Sequence, residues 1–287
     1  MLRTNADRLV MQSVMGEIAH PRLENPWKVG QDGIPQILPG IGAITYNIAI
    51  GDSVFGWEGD HVEPGVSIRN PVDVENTALI TLACLGNQAS VITGDGKGLK
   101  GFVTGTHGGR DNTMVYFDTR ELDSLAVGDK VQIKAWGLGL KLLDYPAVQI
   151  MSVDPAVLAA MEIREKDGCL EVPAVAEVPP FLMGSGIGST VPHKGDYDIM
   201  TQDREAVRAF GLESLRFGDL VLLRDCDNTY GRGYFRGAVT VGVVVHSNCI
   251  LAGHGPGVVT VLSCKQGRIK PRLDKKANIG YYKGILK

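Results

Sequence analysis

Asp60, His61 and Glu63 stand within one glycine-bounded loop, GDHVEPG. Two carboxylates and an imidazole this close can supply part of a divalent-metal site or a general acid and base. They can equally cap backbone N–H groups while His61 satisfies a carbonyl. His107 lies in THGGRDN beside Arg110, where an imidazole would act on a carbonyl or a metal and a guanidinium would clamp an anion. A third set falls at 225–232, DCDNTYGR. Asp225 and Asp227 offer oxygens at i and i+2, as a calcium or magnesium loop does, but without the twelve-residue EF-hand pattern, so an Asx-turn explains them equally. Asp227, Asn228, Tyr230 and Arg232 are candidates for positioning substrate, with Arg232 for an anionic group. Finally, His246 ends an apolar run and His254 sits among Gly253, Gly255 and Gly257, which permit positive φ and close backbone approach. Catalytic roles are expected for His61, His107 and His254, and metal ligation for Asp60, His61 and Glu63.

The elements that must position these groups read as short strands. Residues 11–19, 43–50, 78–85, 89–92, 101–105, 113–118, 130–136 and 147–153 are apolar or alternating runs separated by turn residues. Two valine-rich runs, 238–245 and 258–262, flank the His246–His254 loop. Asp154-Pro155 opens one helix, and a second begins near Asp203. CLEVPAVAEVPP (169–180) is extended and proline-rich, a candidate boundary between residues 1–168 and 169–287. The helices needed for parallel crossovers are missing, so the expected fold is mainly β: two β-rich, barrel- or sandwich-like units with one or two short helices.

Composition bounds the function classes. The 287 residues, 44% apolar and 21% charged, are those of an ordinary globular protein. A net charge of −3 gives no global reason to expect nucleic acid or an anionic membrane. No apolar run approaches the ~20 residues of a membrane span, and the N-terminus lacks the apolar core of a signal peptide. Five cysteines without a CxxC pair suggest reduced thiols and a cytoplasmic protein.

Two motif matches carry little. Residues 96–101 fit GxGxxG, but no helix is expected after them, so a phosphate would find no helix N-terminus. GSGIG at 184–188 offers backbone N–H groups without a nucleophile elbow; the loop that follows holds His193, Asp196 and Asp198. Two internal echoes are also visible. LDSLAVGD (122–129) matches LESLRFGD (212–219), and GAITYNIAI (42–50) matches GAVTVGVVV (237–245).

The segments NPW, DGIP, LPGIGAITYN, GDHVEPGVS, TGTHGGRDN and DNTYGRGYFRGAVTVGVVVHSNCILAGHGPGV together resemble an uncharacterised prokaryotic family, domain of unknown function 4438. That resemblance brings no activity. The last stretch is faintly similar to the β-rich acetamidase/formamidase family, in G-x-x-x-H followed by a glycine-rich loop. It departs where that family carries an acid after Gly-Asp-Gly; here the loop reads Gly-His-Gly-Pro-Gly. The expected function is a metal-assisted small-molecule enzyme, a hydrolase or lyase acting on a carbonyl or amide compound, with a divalent metal as cofactor. The alternative is a non-catalytic ligand-binding or assembly protein. A homo-oligomer is expected, with neither nucleic acid nor membrane as partner.

Overall fold

A computed structural model describes residues 2–23 and 25–287. Six strands of the first half close into an antiparallel barrel: β1 (Gln12–Ile18), β2 (Gly65–Arg69), β3 (Gln88–Val91), β4 (Lys100–His107), β5 (Asn112–Tyr116) and β6 (Lys130–Ala135). They pair in the order β1-β6-β3-β4-β5-β2, and β2 returns to β1 through Glu17↔Arg69 and Ile18↔Ile68. Closure leaves no unpaired edge between them. The period-2 pattern of KVQIKA in β6 turns Val131, Ile133 and Ala135 inward. Val131 and Ile133 meet Ile68, Val91, Val103 and Val115 in the barrel core.

The second half is a hairpin-based sheet. β8 (Leu220–Asp227), β9 (Gly233–Val244) and β10 (Gly257–Cys264) are successive antiparallel neighbours. The outer edge of β10 pairs first with Gln149–Ile150 and then with the short strand β7 (Asp196–Asp198). One apolar core joins the halves, with Val62, Phe102 and Met114 packed among residues such as Leu222, Val245 and Leu262. The fold is mainly β, as expected. Among the described residues no helix is long and apolar enough to cross a membrane.

Three expected strands differ, and of residues 147–153 only Gln149–Ile150 is a strand. Residues 78–85 belong largely to a helix, α1 (Asp73–Leu82). Periodicity cannot separate a short buried helix from a strand. Here Asp73 and Glu75 occupy the first turn, where carboxylates favour the helix N-terminus, and Asn76 Oδ1 accepts from Asn70 N at 2.9 Å. Of residues 43–50, only Ile44–Thr45 forms a strand. Ala43 takes a positive φ and residues 46–50 turn, while Ile48 and Ile50 still reach the core.

The expected helix starts hold. Asp154 caps α2 (Pro155–Ala160) by accepting from Ala156 N at 2.7 Å, and Asp203 caps α3 (Arg204–Ala209) through Ala206 N at 2.9 Å. The 122–129 and 212–219 echo is one device used twice. Asp129 accepts from Ala126 N at 2.9 Å and Asp219 from Arg216 N at 2.8 Å, each just before a strand. The 42–50 and 237–245 echo has no such counterpart, because only the second copy is a long strand.

Candidate metal centre

Four histidines distant in sequence meet where the barrel abuts the second sheet. His107 ends β4, His246 follows β9, and His61 and His254 lie in the loops before β2 and β10. The rings of His107 and His246 stack with centroids 4.4 Å apart; His61 lies 5.1 Å from His246 and 5.2 Å from His254. Backbone pairing across the halves sets this convergence: Ser247 N donates to Val62 O at 3.0 Å, and Ser247 Oγ accepts from Val62 N at 2.8 Å. His61 itself is held at φ 53°, a left-handed conformation that costs a non-glycine residue energy and requires support from its surroundings.

Strand β7 supplies the carboxylates. Asp196 and Asp198 are alternate residues of one strand, so both face the histidines while Tyr197 enters the core. Asp196 Oδ1 accepts from Gly108 N at 2.7 Å. Its Oδ2 lies 2.6 Å from His246 Nε2, yet neither atom makes an aligned hydrogen bond, and both are buried. His246 Nδ1 is committed to Ser247 O at 2.9 Å. Asp198 faces both sides, with Oδ1 3.6 Å from His246 Nε2 and Oδ2 3.0 Å from His254 Nδ1. A Cβ on Gly257 would fall 1.9 Å from Asp196 Oδ2 and 2.2 Å from His246 Nε2. Only glycine leaves that space open.

Glu63 stands behind His107. Its fully buried carboxylate accepts from His107 Nδ1, Ser67 Oγ, Gly42 N and Asn112 Nδ2, the last two at 2.8 and 2.9 Å. Burial alone would raise its pKa, but the donors from His107, Ser67 and Asn112 bring it below the ordinary value. Giving its Nδ1 proton to Glu63 leaves His107 a lone pair on Nε2, the arrangement that commonly orients a metal-binding histidine. His107, Asp196 and His246 present ligand atoms all within 4.8 Å of one another, and so do His61, Cys249 and His254.

Charge supports the same picture. Asp60, Glu63, Asp196 and Asp198 are all buried, and buried carboxylates require cations or dense hydrogen bonding. Lys28 pairs with Asp60, while Arg232 spends Nη2 on the carbonyls of Pro192 and Gly195. His246 takes the balance when no ion is bound. Burial works against its charged form, but Asp196 and Asp198 outweigh it and raise its pKa well above the usual imidazole range. Burial pushes the His61 pKa down, against the pull of Asp60.

His61, His107, His254, Asp196 and Asp198 floor a cavity of about 370 Å³, whose wall includes Arg110, Lys194 and Arg232. The floor suits a divalent cation; the wall suits an anion.

Two family models cover most of the chain: Domain of unknown function (DUF4438), N-terminal, over residues 27–159, and its C-terminal counterpart over residues 160–283. The chain belongs to the DUF4438 family. The crystal structure of TM1086 is similar throughout, with 48% identity, a TM-score of 0.94, and coverage of 98% of this chain and 99% of that one. No curated protein matches.

Within this DUF4438 chain the structure brings together only some of the residues singled out by sequence. His61, His107, His254 and Arg232 share the cavity. Glu63 supports a histidine rather than facing the open site, and Asp60 is held by Lys28 and by Ile250 N, which donates to its Oδ1 at 3.2 Å. Asp227, Asn228 and Tyr230 do not line the cavity. Asp227 Oδ1 accepts from Thr229 N at 3.1 Å, an Asx-type turn. Asn228 is buried between Ser263 and Thr260. Tyr230 is 86% exposed. The sequence drew attention to Asp196 and Asp198 only as loop residues without a role, and to Cys249 only as a reduced thiol. The Asp-Tyr-Asp alternation was the available signal, since period-2 spacing in a strand puts both acids on one face.

Proposed function

We propose that this protein is a metal-dependent enzyme acting on a small anionic carbonyl or amide compound, as a hydrolase or lyase. One observation carries the reading: His246 Nε2 and Asp196 Oδ2, fully buried and 2.6 Å apart, are not hydrogen-bonded to each other or to anything else. A pair so placed, with His107 close by and the gap at Gly257 open beside both atoms, offers a divalent cation a seat in place of the proton that His246 otherwise carries. His107 Nε2, oriented by Glu63, completes a His₂Asp set suited to zinc, manganese or iron. Such an ion would polarise a carbonyl and activate water. Arg232, buried with its Nε unpartnered, would receive the substrate's anionic group from the cavity wall.

The test is elemental analysis of purified protein, followed by thermal unfolding after chelation and re-addition of zinc, manganese or cobalt. The expected result is a retained ion whose removal lowers the melting temperature, with ion content and the shift on chelation both reduced in His246→Ala and His107→Ala. A wild-type protein that retains no ion and does not respond to any of the three would overturn the proposal.

Self-association is a second reading, compatible with the first. Leu23, Trp27, Ile34, Ile37 and Tyr46 are at least half exposed along one loop-rich segment, an apolar surface of the kind that marks interfaces. Light scattering across a dilution series should give a mass above 30.8 kDa; a monomer at every concentration would remove this reading.

A further inference from the structure

We infer that His61, His254, Cys249 and Asp198 form a second zinc site, linked to the first through the two oxygens of Asp198. The inference rests on the metal-dependent reading above and extends it to a two-ion centre.

The geometry is specific. His61 Nε2 is 3.3 Å from His254 Nδ1, His254 Nδ1 is 3.0 Å from Asp198 Oδ2, and His61 Nε2 is 4.0 Å from Asp198 Oδ2. Those three separations fit a circle of radius about 2.0 Å, so one point lies at the zinc–nitrogen and zinc–oxygen bond length from all three atoms. A single proton on His254 Nδ1 would have two acceptors competing for it. Without that proton, three lone pairs surround one point. The buried Nδ1 of His61 is also without a hydrogen bond, although Asp60 Oδ2 is only 3.2 Å away. Cys249 Sγ lies within 4.8 Å of one ring nitrogen of each histidine. Two imidazoles, a carboxylate and a sulfur make a donor set that favours zinc over magnesium or calcium.

Asp198 places the two sites side by side. Oδ2 faces His254, while Oδ1 is 3.6 Å from His246 Nε2. A carboxylate held this way bridges ions about 3.5–4 Å apart, the separation at which two metals can clamp one reacting oxygen. Charge agrees. Asp196, Asp198 and a Cys249 thiolate would nearly neutralise two divalent ions, leaving a single positive charge for an anionic substrate.

The experiment uses full-length protein loaded with zinc or cobalt. Elemental analysis should give two ions per chain in the wild type and one in His254→Ala and in Cys249→Ser. His254 is partly exposed, so its replacement should leave the fold intact, as circular dichroism would verify. The cobalt form should show a near-ultraviolet thiolate-to-cobalt charge-transfer band that disappears in Cys249→Ser and persists in His246→Ala. One ion in the wild type, lost in His246→Ala but kept in His254→Ala, would overturn the second site and leave the first standing. No ion at all would overturn both. A charge-transfer band that survives Cys249→Ser would overturn the assignment of the sulfur.

Discussion

Asp196 Oδ2 lies 2.6 Å from His246 Nε2, and the missing side chain of Gly257 is what leaves room beside them. The carboxylate comes from a three-residue strand, the imidazole from the residues after β9, and the glycine from the first position of β10. Asp198, two residues along the same short strand, pairs with Gly257 in register. A gap in one strand therefore faces the acids of its neighbour.

Gly257→Ala should expose the importance of that gap. The added methyl would meet Asp196 Oδ2 at 1.9 Å and His246 Nε2 at 2.2 Å, both on buried side chains with little room to retreat. Overpacking of this kind costs about 1–3 kcal/mol. Denaturant unfolding should show that loss, and elemental analysis should show reduced ion content. Wild-type ion content in this variant would mean that the space beside the two atoms is not a binding position.

Glu63→Gln should destabilise the protein by roughly 3–5 kcal/mol, the range for breaking a buried charged pair. All the groups around Glu63 donate to it, including Gly42 N and Asn112 Nδ2, and a glutamine NH₂ would meet donors. The pH dependence has a definite sign. The folded-state pKa of Glu63 lies below the ordinary value of about 4.3. Its contribution is therefore complete above that pH and is lost as pH falls through the folded value. Acid unfolding curves of wild type and Glu63→Gln should converge as the pH drops; parallel curves would contradict the assignment.

Arg232→Lys should weaken capture of small carboxylates at least tenfold, without loss of ion content. A lysine keeps the charge but lacks the planar fork that reaches the carbonyls of Pro192 and Gly195 through one arm and the cavity with the rest. Thermal-shift titration with simple carboxylic acids would measure this. Equal affinity in both proteins would place the anion elsewhere.

Asp154→Ala separates fold from site. It removes the cap on Ala156 N and a bond from Asn87 Nδ2 at 2.9 Å, which should cost about 1–2 kcal/mol of stability. Ion content should not change. A parallel loss of ions would show that the site depends on this remote helix start.

The sequence alone determined the elements whose signals are local. Alternation in KVQIKA, the valine runs of β9 and β10, and the Asp154 and Asp203 caps depend on residues a few positions apart, so the mainly β fold was legible. The run at 78–85 was not, because a buried helix and a buried strand show the same unbroken apolar face over eight residues. His61, His107 and His254 stood out because glycines surround them, and glycine marks loops that carry exposed chemistry. Tertiary structure decided what those residues do. Asp227 and Asn228 looked equally functional, yet they close a turn and a sheet contact. Glu63 looked like a ligand and instead accepts from His107 Nδ1 within the barrel. Asp196, Asp198, His246 and Cys249 come beside His61, His107 and His254 only where the barrel meets the second sheet. Residues 61 and 254, separated by 193 positions, reach 3.3 Å through cross-half backbone pairing. No local pattern encodes such a distance. It is fixed by the shared core and the strand register.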